Sequence, residues 1–194
     1  MVSFFVSVCS PNIDLVFVMD GCGRRPFHVC RDFVKDTIKK LKASSNKTRV
    51  GVIMYSKKVR LLFGFNYFTN IQDMLHALDS IRFQSKQPGK PENIGAALTK
   101  AHKMLFTGSR TGIPQVLILI AGARADDDII KPAQRLQQDG VVIYSVGFGN
   151  RFDRSQLEAI SSKPNQEHVF AEDRRLLKSL SWAMMKYLCR GKRK

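Results

Sequence analysis

The chain alternates between short runs in which nearly every position is apolar and longer stretches in which apolar residues recur every three or four positions. Apolar runs lie at 15–19, 50–55, 116–120 and 141–146, the last interrupted by Ser145. They are too short to cross a bilayer and read as strands buried on both faces. After the first strand, Phe27, Cys30, Val34, Ile38 and Leu41 form one face of a helix entered at Pro26 and ended by Ser44-Ser45-Asn46. The turn Ser56-Lys57-Lys58 joins the second strand to a returning run at 59–63, which predicts a hairpin. Thr69 is placed to cap a helix carrying Ile71, Met74, Leu75, Leu78 and Ile81. Beyond a polar loop at 85–91, Ile94, Ala97, Leu98, Ala101 and Leu105 mark another helix, broken by 108–114. Asp126, Asp127 and Asp128 precede a helix with Ile129, Ala133 and Leu136. There the acids suit the positive end of the helix dipole better than a cation site. Gly147-Phe148-Gly149 closes the fourth strand, Asp153 caps a short helix, and Val169-Phe170 is a brief strand. A last helix carries Leu176, Leu180, Met184, Tyr187 and Leu188. Alternating strands and helices predict an α/β fold: an open, doubly wound, mostly parallel sheet with helices on both faces.

Length permits one domain with a sizeable core. Charge changes the picture more. The chain carries 32 Lys and Arg against 16 Asp and Glu, a surplus of +16 that draws polyanions such as nucleic acid, sulfated glycan or acidic membrane. The basic candidates are Arg24 and Arg25 after the first strand, Lys39, Lys40 and Lys42 at the end of the first helix, Lys57, Lys58 and Arg60 on the hairpin, and Arg190, Lys192, Arg193 and Lys194 in the tail.

Cys9, Cys22, Cys30 and Cys189 contain no pair two to four residues apart, so no zinc pattern is present. Cys9 and Cys189 bracket nearly the whole chain. A bond between them would clasp its ends and requires an oxidising compartment; four thiols in the cytosol is the other reading. Cys22 and Cys30 are close enough to pair locally, which the sequence leaves open. The apolar segment 1–8 has neither a basic leader nor a small-residue cleavage site, and reads as an edge segment or as the start of a piece of a longer secreted chain. His28, His76, His102 and His168 are scattered, and nothing positions a nucleophile or a base, so no enzyme is expected. Gly21-Cys22-Gly23 opens like a dinucleotide loop, but the third glycine position holds Pro26.

Asp20 ends the first strand and precedes a glycine-rich turn, where open α/β sheets place their sites. The run Asp14-Leu15-Val16-Phe17-Val18-Met19-Asp20-Gly21, then Arg49-Val50-Gly51-Val52-Ile53-Met54-Tyr55-Ser56, then Asn93-Ile94-Gly95-Ala96-Ala97-Leu98, then Val116 to Ile120, then Val141 to Gly149, resembles in order the von Willebrand factor A domain of matrix proteins. The collagen VI, matrilin and von Willebrand factor type is the most similar. The resemblance implies a Rossmann-like sheet with one antiparallel edge strand, spanning 12–189 between an N-terminal segment 1–11 and a basic tail 190–194. It also implies a metal-ion-dependent adhesion site built from an Asp-x-Ser-x-Ser turn, a Thr and a third-loop Asp around Mg²⁺. Carried over by position, that site is degenerate. Asp20 is present, but the serines are Cys22 and Arg24, the threonine is Glu92 and the third-loop acid is Gly122. A thiol is a poor Mg²⁺ ligand, and an arginine puts a cation where the ion belongs. No bound metal and no cofactor are therefore expected, and Asp20 is expected to pair with Arg24 or Arg25. Asn93 and Asp126 lie near without restoring the pattern.

The reading is a secreted, non-enzymatic module of the extracellular matrix. It would bind collagens, other matrix proteins, heparin-like glycosaminoglycans, or other chains or domains of a larger parent protein. The alternative is an intracellular relative acting on nucleic acid or within a complex. Against it, the aromatic residues lie mainly in core positions and do not interleave with the basic ones as a stacking platform would need.

Overall fold

The computed structural model describes residues 10–21, 24–43, 47–81, 91–172, 184 and 186–189, with residues 24–26 and 106 described by backbone alone. The elements run β1 (Ile13–Asp20), α1 (Arg24–Lys40), β2 (Thr48–Tyr55), β3 (Arg60–Phe63), α2 (Ile71–Ser80), α3 (Ile94–Gly108), β4 (Gln115–Ala123), α4 (Ile130–Gln138), β5 (Val142–Arg151), α5 (Arg154–Ile160), α6 (Asn165–His168) and β6 (Val169–Glu172). The sheet order is β3-β2-β1-β4-β5-β6. Pairing is parallel throughout except for β2 with β3, as the hairpin reading requires.

Side-chain alternation explains why the central strands are almost wholly apolar. Leu15, Phe17 and Met19 of β1 face one layer with Phe27, Val34 and Ile38 of α1, Leu78 of α2, and Met184 and Leu188. Val16 and Val18 face the other layer with Leu98 and Ala101 of α3, Leu136 of α4 and Leu157 of α5. The central strands therefore feed two cores; inside β5 the buried Ser145 is a polar exception and accepts from the Ser161 hydroxyl at 2.7 Å.

Three boundaries differ from the sequence expectation. The cap of α2 is Asn70, not Thr69: the Asn70 side chain accepts a hydrogen bond from the Asp73 N–H at 2.9 Å. The first helix stops at Lys40, before the Ser44-Ser45-Asn46 run, which lies outside the described residues. Gly147-Phe148-Gly149 does not close β5. The strand continues to Arg151 through an irregularity in which pairing with β4 jumps from Ala121↔Gly147 to Ala123↔Arg151. Within this irregular stretch Phe148 is fully buried and lies against Gly122.

Candidate functional site

Strand order reverses direction between β1 and β4, so the crevice at their carboxyl ends is where this topology places a ligand. Asp20 ends β1 there and is 1 % exposed. Across the crevice, Gly122 of β4 donates its backbone N–H to Asp20 Oδ2 at 3.2 Å. A Cβ at Gly122 would stand 2.7 Å from that oxygen and 2.7 Å from Phe148 Cζ. The absent side chain is therefore a packing requirement. The Phe148 ring of β5 fills the space that a side chain at position 122 would need.

The neighbouring loops are fastened to each other. The Glu92 N–H donates to Asp126 Oδ2 at 2.7 Å, and the Asp126 N–H donates to the Glu92 carbonyl at 3.1 Å. Glu92, at the threonine position, is 5 % exposed. Asn93 Nδ2 donates to the Lys57 carbonyl at 2.9 Å. Asp127 accepts from the Gly95 and Ala96 N–H groups, both at 2.8 Å. Only Asp128 serves α4, accepting from the Ile130 N–H at 3.0 Å. The three acids expected at one helix thus divide among a loop clamp, the start of α3 and the start of α4. Gly95 makes this possible, because a Cβ there would come 2.0 Å from the Asp128 carbonyl oxygen.

Among the described residues, this set does not supply the donors of a six-coordinate hard cation. Gly122 offers no side-chain donor, Asp20 Oδ2 is turned to a backbone amide, and Asp126 is held on Glu92. Among the described residues no group of three or more His, Cys, Asp or Glu is placed to hold a metal. Cys22 lies outside the described residues, as do the side chains of Arg24 and Arg25, so the expected Asp20 pairing falls there too.

Among the described residues, the basic candidates lie at two ends of the sheet. Lys57 and Lys58 are exposed, and Arg60 is half-buried, at the carboxyl end of β2 beside the crevice. Lys39 and Lys42 are exposed at the far end of α1, beside the amino ends of the strands. Lys40 there is half-buried, and burial lowers its pKa while Asp36 opposes the shift. Arg190, Lys192, Arg193 and Lys194 lie outside the described residues. Of the cysteines, Cys30 keeps a thiol, buried on α1, so the local Cys22–Cys30 bond is not made. Cys189 is disulfide-bonded, and Cys9 lies outside the described residues.

A charged cluster not anticipated from the sequence sits at the amino end of β1. Asp14 is fully buried and accepts from Arg49 Nε at 2.9 Å and Nη2 at 2.7 Å, and from the Arg110 N–H at 2.6 Å and Nε at 3.0 Å. Arg49 also reaches the Gly108 carbonyl at 2.8 Å, and lies 5.0 Å from the centre of the Phe65 ring. Arg110 Nη2 reaches the carbonyls of Ile13 at 3.1 Å and Lys47 at 2.7 Å. Burial alone would raise the Asp14 pKa, but the bonds from both arginines outweigh it and hold the carboxyl below its ordinary value. The available signal was the register: Asp14 and Arg49 are partners across β1 and β2, and a carboxylate opening an otherwise apolar strand needs a cation beside it.

Comparison with known proteins agrees with this fold. Residues 14–181 match the von Willebrand factor type A domain. The chain is 32% identical to matrilin-2 of Mus musculus over 187 residues, covering 91% of this chain and 19% of matrilin-2. It is 30% identical to vitrin of Homo sapiens over 168 residues (85% of this chain, 24% of vitrin). It is 29% identical to the collagen alpha-6(VI) chain of Homo sapiens over 175 residues (85% of this chain, 8% of the collagen chain). The chain thus spans a minor part of each of these relatives. Proximal thread matrix protein 1 from the mussel byssus superposes with a TM-score of 0.83 at 19% identity, over 93% of this chain and 49% of that one. Another structure of that mussel protein is described with a zinc-occupied metal-dependent adhesion motif.

Proposed function

The chain belongs to the von Willebrand factor type A family, and on that premise we propose that it is a non-enzymatic adhesion module of the extracellular matrix. It recognises its partners through a basic exterior, without a divalent cation. The observation that carries this reading is the packing at Gly122. There the Gly122 N–H bonds Asp20, and the Phe148 ring packs where a Cβ at position 122 would stand, which supports a reading without an ion. The likeness to matrilin-2, vitrin and a collagen VI chain supports the matrix setting. The disulfide at Cys189 supports an oxidising compartment, and so speaks against the intracellular alternative.

With +16 of net charge, the partner chemistry best matched is a sulfated glycan of the heparin type, with collagens and other matrix proteins beside it. Binding of that kind releases condensed counterions, so affinity falls steeply and linearly on a log–log plot against salt. The test is retention on immobilised heparin beside a sulfonate cation exchanger of matched charge density, each eluted with salt. The chain is expected to leave heparin at a clearly higher salt concentration than it leaves the exchanger. Coincident elution would reduce the glycan reading to generic charge.

A further inference from the structure

The helices on the two faces of the sheet differ in how their charges are used. On one face, α1 and α2 set cations beside acids. Arg31 pairs with Asp32 at 3.1 Å, and Lys35 with Asp79 at 2.5 Å. Lys40 lies near Asp36, and Asp73 accepts from Asn70 Nδ2 at 2.6 Å. On the other face, α3 and α4 carry Lys100, Lys103, Lys131 and Arg135 and no acid. All four side chains are exposed, and none has an ion pair or a side-chain hydrogen bond among the described residues.

Packing brings these cations onto one surface. Gly95, at the start of α3, lies against the Asp128 carbonyl just before α4, where a Cβ would come 2.0 Å from the oxygen. Farther along, His102 Nε2 meets Asp139 Oδ2, just after α4, at 2.6 Å. The two helices therefore run side by side in the same direction. Leu98, Ala101 and Leu105 of α3 enter the same core layer as Ala133 and Leu136 of α4, which turns the opposite stripe of each helix outward. Lys100 and Lys103 are three apart, and Lys131 and Arg135 four apart, so each pair shares an outer face. Thr99, Thr107, Gln134 and Gln138, exposed beside them, are uncharged.

The surrounding acids lie at the ends of this band and are engaged there. Asp126 accepts from the Glu92 N–H, Asp127 from the Gly95 and Ala96 N–H groups, and Asp128 from the Ile130 N–H. Asp139 holds His102 at the end of α4. On the flank toward α5, Asp153 caps that helix and Arg154 pairs with Glu158 at 2.7 Å. On the flank toward the hairpin, Lys57, Lys58 and Arg60 add positive charge. The cations thus form a band across the helix pair, bounded by acids at the start of both helices and at the end of α4.

We propose that this band, with Lys100, Lys103, Lys131 and Arg135 as its contacts, is the docking surface for a sulfated glycan of the heparin type. The placement rests on the glycan reading above. Four unpaired cations on a convex helical surface suit a flexible polyanion, which is held by neutralisation and counterion release and needs no groove. A single-stranded nucleic acid would need rings to stack on, and no described Phe, Tyr or Trp side chain is exposed on either helix.

The test compares two charge-matched variants of the whole chain. Lys100→Gln with Lys103→Gln, Lys131→Gln and Arg135→Gln strips the band. Lys39→Gln with Lys42→Gln, Lys57→Gln and Lys58→Gln strips the two ends of the sheet. Both are expected to leave a sulfonate exchanger at the same lowered salt concentration. On immobilised heparin the band variant is expected to elute well below the end variant. Its log–log slope of retention against salt should be shallower than the parent's by roughly 0.7–0.9 for each lost contact, or about 3 in all. Glutamine is close to lysine and arginine as a helix former, so the band variant is expected to melt within about 2–4 °C of the parent. Each pair removed alone, from α3 or from α4, should lose about half of that slope; a loss confined to one helix would overturn a band that spans both. Heparin-selective retention that survives in the band variant, or falls equally in both quadruple variants, would refute the placement and leave the glycan reading standing. Coincident elution of the parent from heparin and the matched exchanger would remove the glycan reading itself, and the placement with it.

Discussion

Replacing Asp14 with alanine is expected to destabilise the domain by about 3–5 kcal/mol, the range for breaking a buried ion pair by deleting one partner. The cause is what remains. Arg49 and Arg110 would face each other beneath the sheet with no carboxylate between them, and the five hydrogen-bonding directions of each guanidinium would be partly unmet. In a domain of this size that loss lowers the melting temperature by roughly 10 °C. Asp14→Asn keeps the shape and removes the charge, and is expected to recover only part of the loss. Acid should act in the same direction. The Asp14 carboxyl titrates below its ordinary value in the fold, so its contribution is complete above the unfolded value of about 3.9 and disappears as pH falls through the folded one. Denaturant melts of the parent and Asp14→Asn across pH 2–6 should converge on acidification.

Restoring an acid at position 122 is the second large effect. Gly122→Asp places a Cβ within 2.7 Å of both Asp20 Oδ2 and Phe148 Cζ, and then sets a second carboxylate beside Asp20. Overpacking costs about 1–3 kcal/mol, and the like-charge pair adds to it by raising the pKa of one acid. A total loss of about 3 kcal/mol is expected in denaturant melts, with no stabilisation by Mg²⁺ in return. Recovery of stability on adding Mg²⁺ would mean that Phe148 yields and that the scaffold retains a latent ion site.

The strands and most helices were legible because their signals are local. Leu15 to Met19 are apolar in succession since alternate side chains enter two different cores, and the α1 stripe repeats with the helix. What escaped was decided across the chain. Asp127 sits two residues before Ile129 yet caps α3, because α3 and the β4–α4 loop approach within contact at Gly95. Gly147 and Gly149 read as a stop, but β5 continues since its irregularity is paired by β4. α6 has four residues, too few to show a period. At the crevice, the residue types Gly122 and Glu92 could be read from the sequence, whereas the packing of the Phe148 ring against Gly122 depends on the irregular register of β5 with β4. The basic residues were visible as charge, but their division between opposite ends of the sheet depends on the topology.

Thermal melting and heparin retention of the same sample, in Mg²⁺, in Mn²⁺ and in EDTA, test the central claim most directly. The account predicts one melting temperature and one elution salt in all three conditions. An ion bound at a hundredfold excess over its dissociation constant would add about 2.7 kcal/mol, a rise of about 5–10 °C. Such a rise with Mg²⁺, together with release of the bound partner by EDTA, would contradict it.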